Sequence, residues 1–312
     1  MIYTLTLNPA VDREYTVPAL AFDSVSRAID SRLDYGGKGF NVSRLLKNMI
    51  MPSTAVGFLG GRTGKLLEDG LKSIGIGTEF IWVSGETRTN ICIVTQTHQH
   101  YIKVNEKGPE VNEIKQEELL DKIVSLAKNG DWWVLAGNLP PGIGPNFYAQ
   151  LLDIINDHEA RAVLDTSGES LRCGCAANPY LVKPNLEEVR ALTGLSLNTT
   201  KDIASAAGLI RTLGAQNVVI SMGKIGALLH NAECTWLAHS PKILERNPIG
   251  AGDSMVGGLV WALTQGYDMQ NALGWGVASG AATASLDGTE VGSLPLIEEL
   301  YSQIRYERIE IT

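Results

Sequence analysis

Apolar and polar positions along this chain change period repeatedly, and the changes mark strands and helices in alternation. Residues 2–7 are a β-rich apolar run that stops at Asn8-Pro9, the pattern of a buried strand followed by a break. Residues 13–34 alternate loosely, with Tyr15, Val17, Val25 and Ile29 set between acids and arginines, which predicts short half-exposed strands. After a glycine cluster, Val42, Leu45, Leu46 and Met49 recur at helical spacing. Residues 54–58 read as the next strand and 64–74 as a helix. Residues 89–95 and 101–105 predict a hairpin around the polar tip Gln96-Thr97-His98-Gln99-His100.

Beyond residue 111 the alternation becomes regular. Helical stretches at 116–128, 147–158 and 203–213 precede strands at 132–136, 162–165 and 217–222. A strand at 181–183 leads into a helix ending at Leu192, and 227–230 with 234–237 form a second hairpin. Strands alternating with helices of about 10–15 residues predict an α/β fold, three layers α/β/α deep, with a mostly parallel central sheet. The whole chain, 1–312, reads as one domain. Segments 12–35 and 88–106 add a small discontinuous β-sheet lid, too small for its own core, whose open edges predict pairing into a homodimer.

Composition narrows the class. Apolar residues make up 44% of the 312 positions, ordinary for a soluble globular protein. There is no apolar run of membrane-spanning length, and Met1-Ile2-Tyr3-Thr4 is not a basic leader, so the expectation is a cytoplasmic protein without a membrane partner. A net charge of −8 argues against a nucleic-acid surface. Cys92, Cys173, Cys175 and Cys234 lack metal-ligand spacing and read as reduced thiols. His98 and His100 have no third ligand near them in sequence.

Candidate chemistry concentrates at Asn247-Pro248-Ile249-Gly250-Ala251-Gly252-Asp253. An apolar run from Met255 to Leu263 predicts a helix just after it. The small residues Gly250, Ala251 and Gly252 leave backbone N–H groups uncovered at the positive end of that helix, and Asp253 adds a base. Donors for an anion beside a carboxylate suit phosphoryl transfer to a hydroxyl. The same residues also fit a plain glycine turn with Asp253 as the helix cap. Gly36-Gly37-Lys38-Gly39-Phe40-Asn41 is a second glycine-rich helix start, pairing a lysine with an amide. In Asn185-Leu186-Glu187-Glu188, Glu188 reads equally as a first-turn acid or as an outer-shell magnesium group. Two other phosphate loops are excluded. Gly61-Arg62-Thr63-Gly64-Lys65 has Leu66 where a hydroxyl is needed and Leu59 where the leading glycine belongs, and a dinucleotide fingerprint from Gly250 fails at Met255.

Taken together, Gly36 to Arg44, the Asn185-x-x-Glu188 motif and Asn247 to Gly258 resemble the ribokinase-like (PfkB) carbohydrate kinases, and the likeness runs from Thr4 to about Gly288. Thr4 to Asp12, Thr87 to Asn90 and Gly108-Pro109 point to the sugar-phosphate kinases within that family. The resemblance implies ATP and Mg2+ as cofactors and a sugar phosphate as acceptor. It implies Asp253 as general base and the amides of Gly250, Ala251 and Gly252 as anion hole. Asp12, Gly37, Lys38 and Asn41 would hold the sugar, with Arg88, Asn90 and Asn138 near the substrate phosphate. Lys183, Asn185, Ser221, Gly223 and Gly226 would line the ATP site, Ser279 and Gly280 would let a late helix approach the adenine, and Glu188 would hold the metal through water. Many relatives bind a monovalent cation with Asp-Thr where this chain has Asn247 and Pro248, so potassium stays open. Lys103 stands where close relatives often carry an acid. Arg27, Lys38 and Arg88 gather on the substrate side of an acidic chain, which favours an anionic sugar phosphate over a nucleoside. A non-catalytic sugar-phosphate sensor is the rival from another class.

Overall fold

The computed structural model describes residues 1–20, 23–97 and 100–310. His98 and Gln99 of the expected polar tip, and Ala21 and Phe22 of the first lid segment, lie outside the described residues. The chain opens with β1 (Ile2–Thr6), β2 (Ala10–Val17), β3 (Asp30–Gly36) and α1 (Lys38–Asn48). Next come β4 (Thr54–Gly60), α2 (Gly61–Ser73), β5 (Gly77–Val83), β6 (Arg88–Thr95) and β7 (Tyr101–Asn105). The regular alternation follows as α3 (Glu113–Leu126), β8 (Trp132–Ala136), α4 (Phe147–Asp157), β9 (Arg161–Asp165), α5 (Gly168–Ala176) and β10 (Leu181–Val182). It continues through α6 (Leu186–Thr193), α7 (Thr200–Thr212), β11 (Asn217–Ser221), β12 (Gly226–His230) and β13 (Thr235–His239). The chain ends with α8 (Ala251–Thr264), α9 (Met269–Ala284), α10 (Leu294–Tyr301) and β14 (Arg305–Arg308).

Among the described residues these strands form a 10-stranded sheet, β14-β13-β12-β11-β10-β9-β8-β1-β4-β5, and a 4-stranded sheet, β3-β2-β6-β7. The large sheet is parallel from β5 to β11 and antiparallel only at its β12–β14 edge. Strand period puts alternate side chains on opposite faces. Tyr3, Leu5, Trp133 and Leu135 join the core under α3 to α7, while Ile2, Trp132 and Val134 join the core under α1 and α8 to α10. The register Tyr3↔Trp133 stacks those two rings 4.2 Å apart. The expected three-layer α/β/α architecture is therefore present. β1 lies between β4 and β8, so the chain winds outward in both directions from it. The crevice at the carboxyl ends of such strands is where ligands gather in open α/β sheets.

Several bounds differ from the sequence reading for identifiable reasons. Helix α2 starts at Gly61 rather than 64, because the Glu86 carboxylate, 24 residues away from Arg62, accepts from the N–H groups of Arg62 and Thr63. Helix α8 starts at Ala251 rather than at Met255. Gly250, with φ 79° in the left-handed region, is its N-cap residue, so Asp253 lies inside the first turn and is not the cap. Helix α9 is buried around most of its circumference and built largely of glycine and alanine, so it lacks the two-faced pattern that reveals surface helices. Among the described residues no helix is long and apolar enough to cross a membrane.

Candidate active site

Two turns and one strand end supply the centre. The turn from β3 into α1 carries Lys38 and Asn41, and it is tight: a Cβ on Gly36 would lie 2.1 Å from Asp12 Oδ2. Gly37 sits at φ 146°, a conformation that side-chain-bearing residues rarely adopt. The second turn is the start of α8. There Asp253 is only 8% exposed, and its Oδ2 accepts a 2.8 Å hydrogen bond from Asn41 Nδ2. Burial, and then the charge of Asp165, push the Asp253 carboxyl up to about 6, against the Asn41 bond and the Lys38 and Lys183 ammoniums.

Asp165 is the strand end. As the last residue of β9 it is almost fully buried, and its Oδ1 lies 3.3 Å from Lys38 Nζ and 3.4 Å from Lys183 Nζ. Burial pulls the Lys38 ammonium down, but Asp165, Asp253 and Glu188 outweigh it and hold its pKa above the ordinary value. The sequence reading recorded the strand and assigned nothing to its final carboxylate. The available signal was position alone, an acid at the carboxyl end of a parallel strand.

A cleft of about 890 Å³ opens in front of these charges. Of the expected nucleotide residues, Lys183, Asn185, Ser221, Gly223, Gly226 and Gly280 line it, together with Glu188, Ala251, Gly252 and Asp253. Ser279 does not. It is fully buried with its Oγ unpartnered, and a Cβ on Gly258 would lie 2.3 Å from that Oγ, so Ser279 belongs to the close contact of α8 with α9. Asn185 and Glu188 form a reciprocal capping box at the start of α6, with Asn185 N–H to Glu188 Oε2 at 2.8 Å and Glu188 N–H to Asn185 Oδ1 at 2.9 Å. The cap uses Oε2 of Glu188, and the side chain still faces the cleft.

Asp12, Gly36, Asn41 and Gly250 line a smaller cavity beside the 4-stranded sheet. Asp12 accepts a 2.7 Å bond from Asn90 Nδ2, and burial raises its pKa despite that bond and the nearby charges of Lys103 and Arg88. Asn90 is therefore committed to Asp12. Its remaining Oδ1 is a buried acceptor without a partner, which suits a hydroxyl. Arg88 is half-buried, donating from Nε to Asn8 O at 3.1 Å and from one terminal nitrogen to Glu106 O at 3.3 Å. Its other terminal nitrogen keeps donors for an anion. Arg27 and Asn138 are exposed and line neither cavity.

Asn247 donates from Nδ2 to Gly288 O at 2.6 Å, while its Oδ1 accepts from Ile249 N–H at 3.0 Å. Turning the amide over would set oxygen against oxygen and N–H against N–H, so its orientation is determined by its partners.

Residues 3–296 match the family described as pfkB family carbohydrate kinase. The chain is 36% identical over 310 residues to a 1-phosphofructokinase of Borreliella burgdorferi, covering 99% of each chain. It is 31% identical over 314 residues to a tagatose-6-phosphate kinase of Staphylococcus epidermidis, covering 100% of both. Phosphofructokinase-2 of Escherichia coli, solved in complex with potassium, matches it with a TM-score of 0.91 at 30% identity, over 96% of this chain and 98% of that one.

Proposed function

The chain belongs to the pfkB family of carbohydrate kinases, and from that membership we propose that it transfers the γ-phosphoryl group of ATP to a ketohexose phosphate, converting fructose 1-phosphate to fructose 1,6-bisphosphate. The observation that carries the reading is the buried carboxylate of Asp253, held by Asn41 at the amino end of α8 and facing a cleft shared with Lys38 and Lys183. Asn41 occupies Oδ2, which leaves Oδ1 for the acceptor hydroxyl. Asp253 takes the hydroxyl proton as the oxygen attacks phosphorus. The amides of Gly250 and Gly252 and the two ammoniums stabilise the charge on the transferred group; the Ala251 N–H, expected to join them, instead donates to the Pro248 carbonyl at 3.2 Å. Without such a base and anion hole the site would suit the rival sensor, which needs neither.

On the acceptor side, Asp12, Asn41 and the Asn90 oxygen take sugar hydroxyls, while Arg88 faces the substrate phosphate. Arg27 and Asn138, both exposed, join them when the 4-stranded sheet closes as a lid over the sugar and excludes water as a competing acceptor. On the donor side, Lys183, Ser221, Gly223 and Gly226 hold the triphosphate, and Gly280 lets α9 approach the base. Magnesium fits here, because Oε1 of Glu188 is left over from the capping box and can hold the ion through water. The ion would neutralise charge on the phosphate oxygens.

The relative from Staphylococcus epidermidis supports tagatose 6-phosphate as a second reading. The exposed apolar side chains of the small sheet, Ile91, Tyr101, Ile102 and Val104, support a homodimer paired through it. Release of ADP with magnesium ATP and each of fructose 1-phosphate, tagatose 6-phosphate and fructose 6-phosphate tests the proposal. The highest kcat/KM is expected with fructose 1-phosphate, and no turnover of any of the three would overturn the kinase reading.

A further inference from the structure

We propose that Asp165 is a positioning residue for both phosphate-facing lysines, holding Lys38 from the acceptor side and Lys183 from the donor side on one carboxylate oxygen. The inference rests on the kinase reading above. The two lysines come from unrelated parts of the fold, one from the first turn of α1 and one from just beyond β10, yet both reach Oδ1 of Asp165. The carboxylate has a rigid seat. The N–H of Gly137 donates to the Asp165 carbonyl at 3.0 Å, and the N–H of Lys183 donates to the carbonyl of the preceding Leu164 at 3.1 Å. Lys183 also stands close to the anion hole, since a Cβ on Gly252 would lie 3.7 Å from its Nζ.

Two ammoniums this close, one of them buried, repel each other unless an anion is shared between them. Asp253 cannot be that anion throughout the reaction, because it loses its charge when it accepts the hydroxyl proton. Asp165 makes no such exchange. It keeps a negative charge between the lysines, so that both stay aimed at the transferred phosphoryl group while Asp253 changes state. The same charge raises the Asp253 pKa, which ties the two carboxylates together in the pH profile. The groups facing Asp253 are Asp165, Asn41, Lys38 and Lys183.

The test is Asp165→Asn, which preserves shape and removes charge. KM for ATP and KM for the sugar phosphate should rise together, each by about tenfold. The acidic limb of the kcat profile should move to lower pH, because Asp253 loses a negative neighbour. A rise in only one KM, or a limb that stays in place, would overturn the proposal. Absence of turnover in the unmutated protein would instead overturn the kinase reading. If the melting curve shows that Asp165→Asn does not fold, Lys38→Met and Lys183→Met are compared by calorimetry, with a non-hydrolysable ATP analogue and with the sugar phosphate as separate probes. Each loss leaves the other lysine drawn more tightly to Asp165, so each variant should also weaken the opposite ligand, by about threefold. Effects confined to each lysine's own ligand would overturn the shared seat.

Discussion

Asn41 Nδ2 donates to Asp253 Oδ2 at 2.8 Å, joining residues 212 positions apart in the chain. The bond orients the carboxylate and opposes the burial that would otherwise protonate it. Asp253→Asn should lower kcat by on the order of 10²–10⁴-fold while binding of an ATP analogue persists. Single-turnover kinetics and calorimetry on the same preparation check this. Near-normal turnover would remove Asp253 from the mechanism.

The pH dependence follows from the same carboxyl group. Only the ionised form accepts a proton, and burial places its pKa at about 6. kcat should therefore be level above that value and fall roughly tenfold per pH unit below it. Asn41→Leu removes a bond that lowers this pKa, so its limb should lie at higher pH. A common limb for the two proteins would mean that the bond does not reach the titrating group.

Arg88 separates binding from chemistry. Its guanidinium is braced by the carbonyls of Asn8 and Glu106, and in the proposed reaction its remaining donors bind the substrate phosphate. Arg88→Ala should raise KM for the sugar phosphate by about 10–100-fold and change kcat and KM for ATP little. An unaltered KM for the sugar would make Arg88 a brace for the 106–108 segment alone.

Adjacent glycines in the first turn should fail in different ways. A methyl group at Gly36 would meet Asp12 Oδ2 at 2.1 Å. Gly36→Ala should displace Asp12 and raise KM for the sugar with a modest change in melting temperature. Gly37 is held at φ 146°, so Gly37→Ala should cost stability directly, about 1–3 kcal/mol. Denaturant melts beside substrate titrations distinguish the two. Equal stability losses would put the constraint in the turn as a whole.

How far the site could be read from the chain differs residue by residue. Gly250 to Asp253 announce themselves, because a run of small residues before a carboxylate and an apolar helix is a local pattern. Asn185 and Glu188 were ambiguous at their spacing between cap and metal group. The structure shows the cap and also places Glu188 on the cleft wall, a position its spacing did not reveal. Ser279 misled, since a small residue on a late helix fits a ligand contact and a helix crossing equally well, and only the position of Gly258 beneath it decides for the crossing. Asp165 went unnoticed because nothing beside it in sequence marks a strand-end acid as special.

The alternation of strands and helices, the parallel sheet between two helical layers, and the glycine turn before Asp253 were legible in the amino-acid sequence alone, whereas β5, α5, α10 and β14 were not. The legible features depend on periodicity and on neighbours a few positions apart. Which charges share a pocket was decided by the tertiary structure. Asp165 meets Lys38 across 127 positions, and Asn41 meets Asp253 across 212, because separate strands end at one crevice. The proton affinity of Asp253 belongs to the same category. It is set by exclusion of water and by distances to charges from three different segments, quantities that come into being only when the chain is folded.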